Sequence, residues 1–171
     1  EVPSINNMKN FSLDYAKTLD AIIREVLGDR LLTPEQMLGD CGSFEEMRTA
    51  DSWPTLKEAL GKIIVLLHPC DVTSEYIDID TSIGSQAMFP MLRFDDIDKP
   101  YASFILDNEP AEAVENNKKT VDEKNLMVRT RADSYPNFSD ERYTFTDRCG
   151  SHIITTDYPP RSVRTEDHIY N

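Results

Sequence analysis

Five consecutive aliphatic residues, Ile63-Ile64-Val65-Leu66-Leu67, constrain this chain more than any other feature. Successive side chains of a strand point to opposite faces, so a run without polar alternation must be covered on both sides. That is the situation of a parallel strand between two layers, and residues 62–68 are read as one. The run is also the longest apolar stretch in the sequence and falls far short of the ~18 residues of a membrane span. Parallel neighbours need crossover connections, usually helical, so the rest of the chain has to supply helices between strands.

It does. Ser12 is placed to cap a helix reaching Leu27, with Leu13, Ala16, Leu19, Ile22, Ile23 and Val26 on one face and Gly28 after its end. Thr33-Pro34-Glu35-Gln36, Ser43-Phe44-Glu45-Glu46 and Thr55-Leu56-Lys57-Glu58 each set a capping hydroxyl three residues before Glu or Gln. Residues 69–85 read as a long polar loop. Residues 87–92 form a second strand, made irregular by Pro90, which has no N–H for a central ladder. Residues 102–106 fit a short strand or a buried turn. Residues 109–124 read as a mostly polar helix. Residues 126–131 and 152–156 are two further strands, separated by a helix that Ser139 can cap. Residues 1–160 are expected to form one domain, and 161–171 a polar tail.

Strands alternating with helices predict an α/β fold with a parallel sheet. Four or so strands make about half of an eight-stranded (β/α)8 TIM-type barrel, which takes roughly 250 residues when complete. Half a barrel has two open edges, so a further half in cis, or in a second chain, is expected to complete it. A small open α/β sheet, complete in itself, fits the same pattern.

The formal net charge is −13, from 31 acidic and 18 basic residues. That speaks against a nucleic-acid partner and against broad adhesion to anionic membranes. Cys41, Cys70 and Cys149 show no metal-ligand spacing, and their odd number leaves at least one free or disulfide-linked to another chain. Asn10-Phe11-Ser12 and Asn137-Phe138-Ser139 are sequons, making Asn10 and Asn137 candidate glycosylation sites and leaning toward secretion. Glu1 reads as a processed or cut end.

Several segments in fixed order resemble one family. They are Leu31-Leu32-Thr33-Pro34-Glu35-Gln36-Met37-Leu38-Gly39-Asp40, Ser52-Trp53-Pro54-Thr55-Leu56-Lys57-Glu58-Ala59 with the Gly61-Lys62 strand, Leu126-Met127-Val128-Arg129-Thr130-Arg131-Ala132-Asp133, and Ile153-Ile154-Thr155-Thr156-Asp157-Tyr158-Pro159. Together they resemble the calcium-dependent phosphoinositide phospholipases C first typified by secreted bacterial enzymes. The resemblance implies the C-terminal half of the barrel. It places the two catalytic histidines and most calcium ligands on an N-terminal half. The chain departs from the pattern at His68, where an acidic or amide residue is usual, and over 69–85.

Phosphodiester cleavage on an inositol lipid needs a base for the 2-hydroxyl, an acid for the leaving oxygen and positive charge on the phosphorus centre. Arg129 and Arg131 share one strand parity and lie at the carboxyl end, where such barrels keep their chemistry. They are the candidates for gripping phosphate, or else pair with Asp133 and its neighbours. Asp157 and Tyr158 end the last strand and can contact the inositol ring, or serve as a capping Asp and a rim aromatic. His68 ends the first clear strand, as a substrate contact or as a satisfied polar residue. His152 starts a strand and reads as structural, and Trp53 as a packing residue at a helix entry. Asp95, Asp96 and Asp98 lack the glycine and closing glutamate of a calcium loop and read as solvated. The expected function is part of a secreted, calcium-dependent phospholipase C acting on phosphoinositide headgroups. No catalytic or metal residue is assigned to this chain, which is expected to be inactive alone. The other reading is a non-catalytic barrel relative, an acidic extracellular binding or structural protein.

Overall fold

The structure is a computed structural model that describes residues 11–109, 120–133, 142, 144, 146 and 148–157. Its centre is one parallel sheet of β1 (Leu66–Leu67), β2 (Phe89–Leu92), β3 (Phe104–Asp107), β4 (Met127–Arg131) and β5 (Ile153–Thr155), in chain order. A doubly wound sheet reverses its strand order part-way. This sheet never does, which is how a (β/α) barrel is laid down. A parallel bridge between Leu31 and Ile63 adds a sixth strand position ahead of β1. There Leu32 N donates to Ile63 O at 2.9 Å and Ile63 N to Arg30 O at 2.7 Å.

Pro90 sits inside β2 without breaking the sheet. Phe89 and Pro90 pair with β1, whereas Met91 and Leu92 pair with β3. The residue without an N–H therefore falls where pairing passes from one neighbour to the other. Residues 102–106 prove to be a strand start, shifted two residues onward.

The helices preceding β1 are α1 (Leu13–Leu27), α2 (Pro34–Leu38), α3 (Phe44–Thr49) and α4 (Leu56–Ala59). Ser12 caps α1, and Gly28 follows it at φ +50°, a left-handed backbone that favours glycine. Thr33 and Thr55 form reciprocal capping boxes with Gln36 and Glu58. Ser43 caps α3 by accepting from Glu46 N, but the Glu46 carboxylate reaches past it to Gly42 N at 2.8 Å.

Two differences from the sequence reading concern packing. Ala16 and Ile23 of α1 are buried, but Ile22 and Val26 are 49% and 66% exposed. The apolar stripe is wider than the surface that covers it. The stretch 69–85 also contains a helix, α5 (Thr73–Ile77), which buries Tyr76 and Ile77. After it, the Asp80 carboxylate accepts from Ser82 N, Ser82 Oγ and Ser85 N, closing a turn around Ile83. Ile83 is fully buried at φ +64°, a backbone that costs an L-residue about 1–2 kcal/mol.

Register-matched residues of a parallel ladder share a face. Met127, Arg129 and Arg131 therefore lie on the side of Phe104 and Leu106 of β3 and of Ile153 and Thr155 of β5. The lower part of that face is apolar: Phe104 stacks edge-to-face on Phe89 and on Trp53, with Phe44 against Phe89. Trp53 Nε1 donates to Asn125 O at 3.0 Å, which fixes it as a packing residue. The carboxyl end of the same face is polar. Among the described residues the sheet stays open, with the Leu31 position outermost at one side and β5, where Ile154 is 46% exposed, at the other.

Candidate functional site at the carboxyl end of the sheet

Val128 and Thr130 are fully buried behind β4, so the strand is held from one side and presents its two arginines on the other. Arg129 donates from Nη1 to Asn108 Oδ1 at 2.8 Å and from Nη2 to Thr155 Oγ1 at 2.5 Å. Arg131 donates from Nε to Asn108 O at 3.3 Å and from Nη2 to Glu109 Oε1 at 2.9 Å. A third guanidinium, on helical residue Arg142, donates from Nη1 to Glu109 Oε2 at 3.0 Å and from Nη2 to Asn108 O. Asn108, just past β3, thus gathers three guanidiniums around one residue.

Buried Asp133 ties the ends of β4 and β5 together. It accepts from Thr156 Oγ1 at 2.5 Å and from Asp157 N at 2.6 Å. Asp157 is thereby set at the rim, exposed, with its charge acting on Arg129. Burial lowers the Arg129 pKa, the nearby Arg131 lowers it further, and Asp157 opposes both. A guanidinium starts so high that it stays charged. For Glu109, partial burial works against the charge. Hydrogen bonds from Arg142 and Arg131 outweigh it and hold the carboxyl below its usual pKa.

Planar donors on three adjacent side chains suit a phosphate group. The described residues around them offer no acid–base pair. His68 is exposed beyond β1, its Nδ1 3.3 Å from Pro69 O. Three strand spacings separate it from β4, about 14 Å along the sheet. His152 accepts from Val128 N at Nδ1, 3.2 Å, and burial lowers its pKa, both features of a structural residue. A calcium ion does not fit these residues either. Among the described residues no group of three or more His, Cys, Asp or Glu is placed to hold a cation. Glu109 and Asp133 are both engaged by N–H or O–H donors.

A cavity of about 580 Å³ lined by Arg48, Asp98, Lys124 and Asn125 lies at the other end, where β4 begins. Arg48 Nη1 donates there to Lys124 O at 2.7 Å, and exposed Asp98 pairs with Lys124 at 2.6 Å. Parallel (β/α) sheets keep their chemistry at the carboxyl ends instead.

The structure brings Arg129, Arg131 and Asp157 together and leaves His68 apart. Arg131 pairs with Glu109, and Asp133 serves β5 instead. Asn108, Glu109, Thr155 and Arg142 were not singled out from the sequence. The first two could have been found by extending the third strand to its carboxyl end; Arg142 has no sequence signal. Tyr158, Asn10, Asn137 and the segment 161–171 lie outside the described residues. All three cysteines carry free thiols: Cys70 exposed, Cys41 half-buried and Cys149 buried. No helix among the described residues is long and apolar enough to cross a membrane.

Over residues 1–171 the sequence matches the family model described as phosphoinositide phospholipase C, Ca2+-dependent. The chain belongs to this family. Its fold is similar to that of a Ca2+-dependent phosphatidylinositol-specific phospholipase C from Streptomyces antibioticus, with a TM-score of 0.62 at 16% sequence identity. The likeness covers 82% of this chain and 57% of that chain, so the chain spans little more than half of the enzyme it resembles. At that identity the match speaks for the fold, a parallel part-barrel of this phospholipase C family. No curated protein matches the chain.

Proposed function

We propose that this chain is the phosphate-gripping part of a calcium-dependent phospholipase C barrel that cleaves phosphoinositides, and that it binds but does not cleave by itself. The observation that supports this reading is the gathering of Arg129, Arg131 and Arg142 at the carboxyl ends of β3–β5. Arg129 and Arg131 hold the phosphodiester. Asp157, with Tyr158 after it in the sequence, meets the inositol ring, and His68, just past β1 and three strands away from β4, lies apart from it. The acid–base histidines and the calcium ligands belong to the N-terminal half, in cis or in a second chain. Among the described residues six strand positions of an eight-stranded barrel are present, and further strands would close it. Secretion fits the sequons at Asn10 and Asn137, and exposed Cys70 is the thiol available for a link to a second chain.

The test is calcium-dependent inositol phosphate release, measured on this chain alone and with the remaining barrel supplied. Release is expected only from the pair. Turnover by the chain alone overturns the proposal. Headgroup binding without turnover by the pair points instead to a non-catalytic relative, an acidic extracellular binding or structural protein.

A further inference from the structure

We infer that the cavity at the amino end of the sheet binds a small amino carboxylate, at a site separate from the arginines of the carboxyl end. Arg48, in the last turn of α3, lines this cavity of about 580 Å³. The residue is only 7% exposed, and none of the ion pairs among the described residues includes it. Nη1 donates to Lys124 O at 2.7 Å, whereas Nε has no hydrogen-bond partner and Nη2 makes no hydrogen bond among the described residues. Nε and Nη2 form one edge of the guanidinium, an edge that can grip both oxygens of a carboxylate in parallel bonds. A charge this buried is costly unless an opposite charge and hydrogen bonds offset it. Glu45 and Asp98 act on Arg48 only through space, and Asp98 is bonded to Lys124 Nζ at 2.6 Å. The wall is fixed beforehand: Asn125 Nδ2 donates to Arg48 O at 3.1 Å and to Asp51 Oδ1 at 2.9 Å.

The rest of the lining says what accompanies the carboxylate. Five carboxylates line the cavity, exposed Glu45 and Asp122 among them, against two cations, Arg48 and Lys124. A simple anion would be repelled on its way to Arg48, and a simple cation would leave the guanidinium edge unmatched. A ligand with both a carboxylate and ammonium groups satisfies the two together, its carboxylate on Arg48 and its ammonium toward Glu45 and Asp122. Free lysine- or arginine-like amino acids share this chemistry with the C-terminal lysine or arginine of a peptide. The cavity touches none of the residues that grip phosphate in the proposed function, so the two readings fail separately.

Trp53, the one tryptophan of the chain, reports on the site, because its Nε1 donates to the carbonyl of Asn125 in the cavity wall at 3.0 Å. Its indole N–H resonance can be followed while the intact chain is titrated with L-lysine, with cadaverine, which lacks the carboxylate, and with acetate, which lacks the ammonium groups. Saturable movement is expected with L-lysine, and binding roughly tenfold weaker with either fragment. Glu45→Gln combined with Asp122→Asn, both at exposed positions, should weaken L-lysine about threefold and leave acetate no weaker. Arg48→Met should abolish L-lysine binding. The ligand series and the double variant need no buried substitution, so they decide the matter even if Arg48→Met does not fold. Nα-acetyl-lysine tells the two sources apart: binding as tight as L-lysine assigns a peptide terminus, and weaker binding assigns the free amino acid. No movement with L-lysine overturns the inference. So does cadaverine binding as tightly as L-lysine, which would show only cations drawn to an acidic surface, or acetate doing so, which would leave a simple anion hole.

Discussion

Two carboxylates anchor different parts of this sheet and are built for opposite purposes. Asp20, on α1, accepts Tyr76 Oη at 2.6 and 2.8 Å and Ala87 N at 3.2 Å, while Tyr76 Oη accepts from Met88 N at 3.1 Å. Tyr76 is fully buried, so α1, α5 and the approach to β2 are joined by neutral donors in a dry contact. Burial raises the Asp20 pKa in spite of those hydrogen bonds, and burial together with Asp20 raises that of Tyr76. Glu109 takes cationic donors at a wet rim, and its pKa goes down. If Asp20 moves, buried polar atoms lose their partners. If Glu109 moves, Arg131 and Arg142 keep their bonds to the carbonyl of Asn108. Surroundings, more than residue type, separate a buried joint from an exposed ion-paired rim.

Breaking the joint should have the largest effect. Tyr76→Phe removes the donor to Asp20 and the acceptor for Met88 N, and is expected to cost about 2 kcal/mol in urea unfolding. Headgroup binding should not change. A loss under about 0.5 kcal/mol would mean that water replaces the hydroxyl and that the joint is not dry. Asp133→Ala comes next, at about 1–2 kcal/mol, because Thr156 Oγ and Asp157 N lose a buried acceptor. Unlike Tyr76→Phe, it should also weaken headgroup binding severalfold by freeing Asp157 from its place at the rim. Arg129→Gln should leave the unfolding midpoint nearly unchanged and lower headgroup affinity about tenfold, reversing the pattern seen at Tyr76. Equal losses of stability and affinity in all three variants would dissolve the distinction between joint and site.

Much of this contrast was legible in residue order, and its limits have physical causes. The apolar run 62–68 announced a parallel pairing, but the ladder forms only at Leu66–Leu67 with a bridge at Ile63. Of the five aliphatic residues only Leu67 is buried, so the expected cover on both faces is incomplete. The Met127–Arg131 strand showed its Arg parity because period two is visible over five residues. The site stopped short of Asn108 and Glu109 because a polar strand end and a loop look alike in sequence. Arg142 was invisible, since one helical arginine among many charged residues carries no mark of the turn it faces. The helix Thr73–Ile77 is too short to show a 3.6-residue period. His68 was correctly placed at a strand end. A strand end does not say how far round the sheet it lies, and three strand spacings keep it from the arginines.

The smallest expected effect discriminates by its sign. The folded-state pKa of Glu109 is lowered from its ordinary 4.5. Its contribution to stability is therefore fully present above about pH 4.5 and lost as pH falls through the lowered value. Asp20 runs the other way. Its folded-state pKa is raised from 3.8, so its contribution is present below that value and declines as pH rises toward the raised one. Glu109→Gln should therefore flatten only the acid-side fall of the stability curve, by less than about 1 kcal/mol because the ion pairs are half exposed and screened by solvent. The decline with rising pH, which belongs to Asp20, should persist unchanged in that variant. A chemical-denaturation series across acid pH on both proteins reads the difference directly. If Glu109→Gln left the acid-side slope intact, the carboxylate would not be bound to Arg131 and Arg142 in solution.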